Sequence, residues 1–177
     1  MPFNHDNMIG VRLAERLVNL RATRSWTSEA LASALHDALV RFDTVDPELE
    51  RGLSAWASEL RTVFAADDVD GRMASVNAVL AVGVRKVQLA THDGLPPHLH
   101  FADHESGVLD RVRAMTSGGL AVFATEAGGG RMGICARQGC DCVFADVSKN
   151  GRRAYCSAAC GNRDAVQRYR ARSAHRR

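Results

Sequence analysis

The chain has 177 residues, of which 46% are hydrophobic and 24% charged. That is enough apolar material for one good-sized core plus an appendage, and too much for a disordered chain. No stretch approaches the roughly 20 apolar residues of a membrane helix, and Met1–Gly10 lacks a basic segment followed by an apolar run, so neither a membrane span nor a signal peptide is expected.

The formal net charge of +3 hides a division. Residues 131–177 hold eleven Lys or Arg against three acids, a net of +8, which leaves −5 for residues 1–130. A basic end suits a polyanion, and an acidic body does not. All five cysteines fall in the basic part.

In chain order, residues 8–21 place Leu13, Leu17 and Leu20 at helical spacing, with Arg12, Glu15 and Arg16 elsewhere on the wheel. Thr27 or Ser28 suits the N-cap of a second helix carrying the stripe Leu31, Leu35, Leu39 and Phe42. Asp46-Pro47 marks a third start: a capping acid, then proline where its missing N–H is harmless. Leu49, Leu53, Trp56, Leu60 and Phe64 face inward from it, and a fourth helix runs from about Val69–Asp70 through Val76, Val79 and Leu80 to Gly83. The period then changes. Val84–Ala90 and Pro97–Phe101, separated by the turn-rich residues from His92, predict a hairpin. A last body helix over about 104–125 carries Val108, Leu109, Val112, Met115, Leu120 and Phe123, and Gly118-Gly119 should weaken or break it. Ala127-Gly128-Gly129-Gly130-Arg131 reads as a flexible linker where the charge changes sign.

Beyond it the cysteines are spaced Cys135-x4-Cys140-x-Cys142, then thirteen residues, then Cys156-x3-Cys160. Two close groups separated by a short loop are how a chain presents four thiolates to one tetrahedral Zn²⁺, with four ligands to choose from five cysteines. Arg131–Cys135 and Cys142–Asp146 look like strands around a turn at Gln138-Gly139. Lys149–Gly151 is a second turn, Arg153–Cys156 a third short strand, and Ser157 a cap for a helix with Cys160 in its first turn. The fold class is therefore α+β and mostly α: a helical body over 1–127 with a β-hairpin, plus a small C-terminal ββ(β)α zinc finger over 131–177.

Cys160-Gly161-Asn162-Arg163, with Phe144-x-Asp146-x-Ser148-Lys149-Asn150 and Tyr155-Cys156-Ser157 before it, resembles the CGNR zinc finger. That family's pattern selects Cys135, Cys140, Cys156 and Cys160 as ligands of one structural zinc per chain. It often has one more residue between the last two cysteines, and Cys142 is an extra thiol, read here as a buried strand residue. The body resembles the ABATE domain through Leu17-Val18-Asn19 and His98-Leu99-His100. This resemblance implies a bacterial protein of the kind described as stress-induced transcription regulators.

The helix after Cys160 carries Arg163, Arg168, Arg170 and Arg172, and arginine suits bidentate contact with phosphate or guanine. With Asn162 these are the candidate duplex-DNA contacts, in a cytoplasmic, nucleoid-associated regulator. The competing reading is a zinc-finger module for protein interaction or RNA binding. The body would supply a homodimer contact, a small-effector pocket lined by Asn19, Arg21, His98 and His100, or both. No phosphate loop or serine elbow is present, and an all-cysteine zinc site offers no open position, so no enzyme is expected.

Overall fold

A computed structural model describes residues 5–91, 97–101 and 106–174. The expected turn from His92 to Pro96 lies outside them, as do His104 and residues 175–177. Ten elements follow in order: α1 (His5–Ala22), α2 (Ser28–Asp37), α3 (Pro47–Ala65), α4 (Val69–Gly83), β1 (Gln88–Ala90), β2 (His98–His100), α5 (Val108–Glu126), β3 (Met132–Ile134), β4 (Val143–Ala145) and α6 (Ala158–Ala174). The chain is mostly helical with two small antiparallel hairpins, β1–β2 and β3–β4. Among the described residues no helix is long and apolar enough to cross a membrane.

The helix starts follow their capping chemistry. Thr27, Asp46 and Asp68 each accept a backbone N–H of the first turn, from Ala30, Leu49 and Gly71, which satisfies one of the donors a helix N-terminus leaves unpaired. The ends are less legible. The α2 stripe stops early, because Leu39 takes φ 57 as the chain reverses, with Val40 N–H donating to Leu35 and Leu39 N–H to His36. Leu39 is consequently 77% exposed, rather than the core residue its spacing implies.

Helix α5 packs against α1, α3 and α4 and forms the centre of the body. Around it Val11, Leu17, Leu31, Leu35, Leu53, Trp56, Leu60, Phe64, Leu120 and Phe123 are buried. Gly118-Gly119 does not interrupt α5, contrary to the propensity argument. Both glycines are buried, and the Phe101 ring lies where a Gly118 side chain would stand. Burial there outweighs the roughly 1 kcal/mol helix penalty of glycine. Trp56 donates its indole N–H to the buried Thr116 hydroxyl at 2.9 Å, which ties α3 to α5.

Nor are Gly128 and Gly129 a flexible linker. They close α5: Gly129 N–H donates to Ala124 O and Gly128 N–H to Thr125 O, with φ +75 and +58. This paired-bond cap needs a left-handed residue, which glycine supplies without strain. Arg72 of α4, only 7% exposed, then binds four carbonyls. It donates to Val63 and Ala66 at the end of α3, to Gly129, and to Met132 of β3. One guanidinium thus satisfies orphan carbonyls of a helix terminus and holds the chain as it passes from α5 into β3.

Hairpin β3–β4 pairs Met132 with Ala145, Gly133 with Phe144 and Ile134 with Val143. Met132, Val143 and Ala145 belong to the same buried cluster as the body helices. The outer edge of β4 would normally leave backbone groups unpaired. Side chains replace a third strand there. Asn19 accepts the Val143 N–H at 2.7 Å and donates to the Val143 carbonyl at 3.0 Å. Glu15, one turn earlier on α1, takes the Ala145 N–H, and Arg153 donates to the Ala145 carbonyl at 3.3 Å.

Candidate metal centre

The expected third strand over Arg153–Cys156 does not form. Ala136 N–H donates to Ala154 O, and the rest of that segment is held by side chains. Asp146, 1% exposed, accepts the backbone N–H groups of Ser148 and Arg153 at 2.8 and 2.7 Å. Burial alone would push its carboxyl up, but the hydrogen bonds from Ser148 and Arg153 prevail and hold it below the ordinary range. Arg153 turns back over the Phe144 ring, 5.3 Å from its centre, and donates to the Tyr155 and Cys156 carbonyls. A buried carboxylate and one guanidinium therefore fix the loop that carries Cys156.

Cys135 stands at the end of β3, where its N–H bonds Cys142 O across the hairpin, and Cys140 lies in the intervening turn. Cys156 and Cys160 sit at the start of α6, where the Ser157 hydroxyl accepts the Cys160 N–H at 3.2 Å. All four sulfurs lie within 4.8 Å of one another. The separations Cys140–Cys156, Cys156–Cys160 and Cys160–Cys140 are 3.8, 3.5 and 3.8 Å. Zn–S bonds of about 2.3 Å in a regular tetrahedron place sulfurs about 3.8 Å apart, so the cluster fits one zinc ion. All five cysteines are unbridged, and Cys142 stands outside the group of four.

The thiols are not equivalent. Hydrogen bonds from Arg137, then Ser157, bring the Cys160 thiol down to about 6. Burial, reinforced by the neighbouring thiols, raises Cys156 above the ordinary range. Burial likewise pushes Cys142 up to about 11, but it is position rather than acidity that sets Cys142 apart from the four. Metal binding must therefore displace protons, and a full set of four thiolates leaves no open position on a tetrahedral ion.

From this cluster α6 leads away. Cys160 is buried and Gly161 and Asp164 are half-buried, whereas every residue from Ala165 to Ser173 is exposed. Asp164 anchors the first turn: its Oδ2 accepts the Tyr155 hydroxyl at 2.8 Å and pairs with Arg168 Nε at 2.8 Å. Of the candidate nucleic-acid contacts, Asn162, Arg163, Arg170 and Arg172 are exposed, and Arg168 is exposed but tied to Asp164.

The candidate pocket residues are placed differently. Asn19 uses both ends of its carboxamide on Val143, and Arg21 bonds Ser54 and Ser58 of α3, so these two bind the chain to itself. His98 and His100 lie on β2, paired with Ala90 and Gln88. Sequence reasoning did not single out Asp146, Arg153 and Asp164 as organisers of the site. For Asp146 and Asp164 the available signal was that only three acids stand in the basic segment; nothing in the sequence marked Arg153 among its other basic residues.

No curated protein matches the chain. Residues 131–173 match the family model of the CGNR zinc finger, the segment that runs from the start of β3 through the four clustered cysteines and along α6.

Proposed function

We propose that this is a zinc-dependent regulator of transcription in which α6 binds duplex DNA. The observation that carries the reading is the exposure of α6. It starts on the four-cysteine cluster and then presents Arg163, Arg168, Arg170 and Arg172 to solvent, with Asp164 as its one acid among the described residues. Zinc here is structural, fixing where the helix begins and in what direction it points. The acidic body, with its resemblance to the ABATE domain, supplies a homodimer contact or binds a small effector. One short helix covers little DNA, so pairing two of them would raise affinity by avidity. The proposed division places regulation in residues 1–127 and nucleic-acid contact in 131–177, in a cytoplasmic, nucleoid-associated protein without catalytic activity.

The test is fluorescence anisotropy of the zinc-loaded full chain on mixed duplexes across a salt series. Each phosphate neutralised releases counterions, so the log–log slope should be about −0.9 per contact. Absence of binding at low salt, with zinc content confirmed, overturns the reading. One observation favours the alternative, a protein or RNA partner: Tyr169 on α6 is 73% exposed. A partner retained by the full chain after nuclease treatment would support a protein-interaction module.

A further inference from the structure

Resting on the DNA reading, we infer that α6 divides its labour by face. Asn162, Arg163, Val166, Gln167 and Arg170 form a base-reading surface for the major groove, and Arg168 and Arg172 take no part in it. At 100° per residue those five positions fall within about 140° of the helix circumference. They line one shallow concavity along α6, and all five are exposed. The opposite side is the anchored one. It carries Gly161 against the Tyr155 ring and Asp164 bonded to Tyr155 and Arg168, with the buried Cys160 at its border about two turns before Gln167. Arg172 projects on the Arg168 side by the same geometry.

Two features separate this surface from a phosphate-binding stripe. The carboxylate of α6, Asp164, is confined to the anchored side, so the outer face of the described helix holds no acid to repel DNA. Its polar groups are also not all cationic. Two carboxamides stand among two guanidiniums, with one aliphatic side chain between them. Phosphate attraction needs only cations. Carboxamides pair bidentately with the adenine edge, guanidiniums with guanine O6 and N7, and an aliphatic group with the thymine methyl. From residue 162 to 170 the helix rises about 12 Å, which spans roughly three to four base pairs. The surface therefore suits a short duplex element containing guanine and adenine.

Three double variants test this: two arginine pairs matched in charge, each removing two positive charges, and one carboxamide pair that removes none. Selection from a randomised duplex pool with the zinc-loaded full chain should yield a preferred site. Arg163→Ala with Arg170→Ala should reduce the preference for that site over a scrambled duplex by at least about 10-fold. Asn162→Ala with Gln167→Ala should reduce it while leaving the salt slope unchanged. Arg168→Ala with Arg172→Ala should retain the preference. Zinc content and helical circular dichroism establish that each variant is folded. Duplex binding with no sequence preference, or preference lost equally in both arginine variants, overturns the face assignment and leaves the DNA reading standing. No duplex binding by the zinc-loaded parent chain overturns both.

Discussion

Asn19→Ala should loosen the finger from the body. Its carboxamide makes two hydrogen bonds to Val143, one in each direction, at a half-buried site 124 residues away in sequence. Each bond contributes about 1 kcal/mol net, and a backbone donor and acceptor left partly shielded from water add to that, so the loss should be about 2–3 kcal/mol. For a chain of this length 1 kcal/mol shifts Tm by about 2–4 °C, which places the expected drop at about 4–12 °C. Asn19→Asp should do no better. It keeps an acceptor for the Val143 N–H but faces the Val143 carbonyl with a second acceptor. Far-ultraviolet circular dichroism of the zinc-loaded chain measures the loss. Removing zinc with a chelator should nearly abolish the difference between variant and parent, because the metal supplies much of the finger's folding free energy and without it β4 is not held at the α1 edge. A loss below about 1 kcal/mol in both zinc-loaded variants would refute the view that α1 substitutes for a third strand.

Single Cys→Ser changes at Cys135, Cys140, Cys156 and Cys160 should each abolish stoichiometric zinc by elemental analysis, while Cys142→Ser retains it. Because Cys156 must lose its proton to bind, zinc affinity should fall as pH falls, which competition with a chelator of known pH dependence will measure. Arg72→Met should cost about 3–5 kcal/mol in denaturant unfolding, since it strands the carbonyls of Val63, Ala66, Gly129 and Met132. Glu15 is raised mainly by burial, despite the Ala145 N–H and the nearby Arg153 and Arg12. The native state therefore holds its proton more tightly than the unfolded chain, and its contribution to stability declines as pH rises from about 4.5 through the folded value. Glu15→Gln should remove that decline and stabilise the protein at neutral pH, seen as a flatter dependence of Tm on pH. Residues 1–127 expressed alone lack Met132, Val143 and Ala145 from the core, and should melt at lower temperature and less cooperatively than the full chain.

The cysteine spacing, the charge reversal and the helix starts were legible in sequence because each is local chemistry. Paired thiols separated by a short loop suit one tetrahedral ion, and Thr27 and Asp46 need only their own first turns to act as caps. Apolar periodicity likewise located the body helices, since a repeat of 3.6 residues builds one buried face wherever the helix goes. Tertiary contacts decided the rest. Gly118-Gly119 reads as a break until the Phe101 ring is seen to occupy the space, and Gly128-Gly129 reads as a linker until it caps α5 beneath Arg72. Asn19 resembles a pocket amide, and the backbone it clasps is Val143. A polar side chain has many partners of similar energy, and one sequence does not say which of them the fold brings within 3 Å. Burial of the β3–β4 side chains against α1 and α3 selects the partner, and so turns a metal knuckle into part of the body's core.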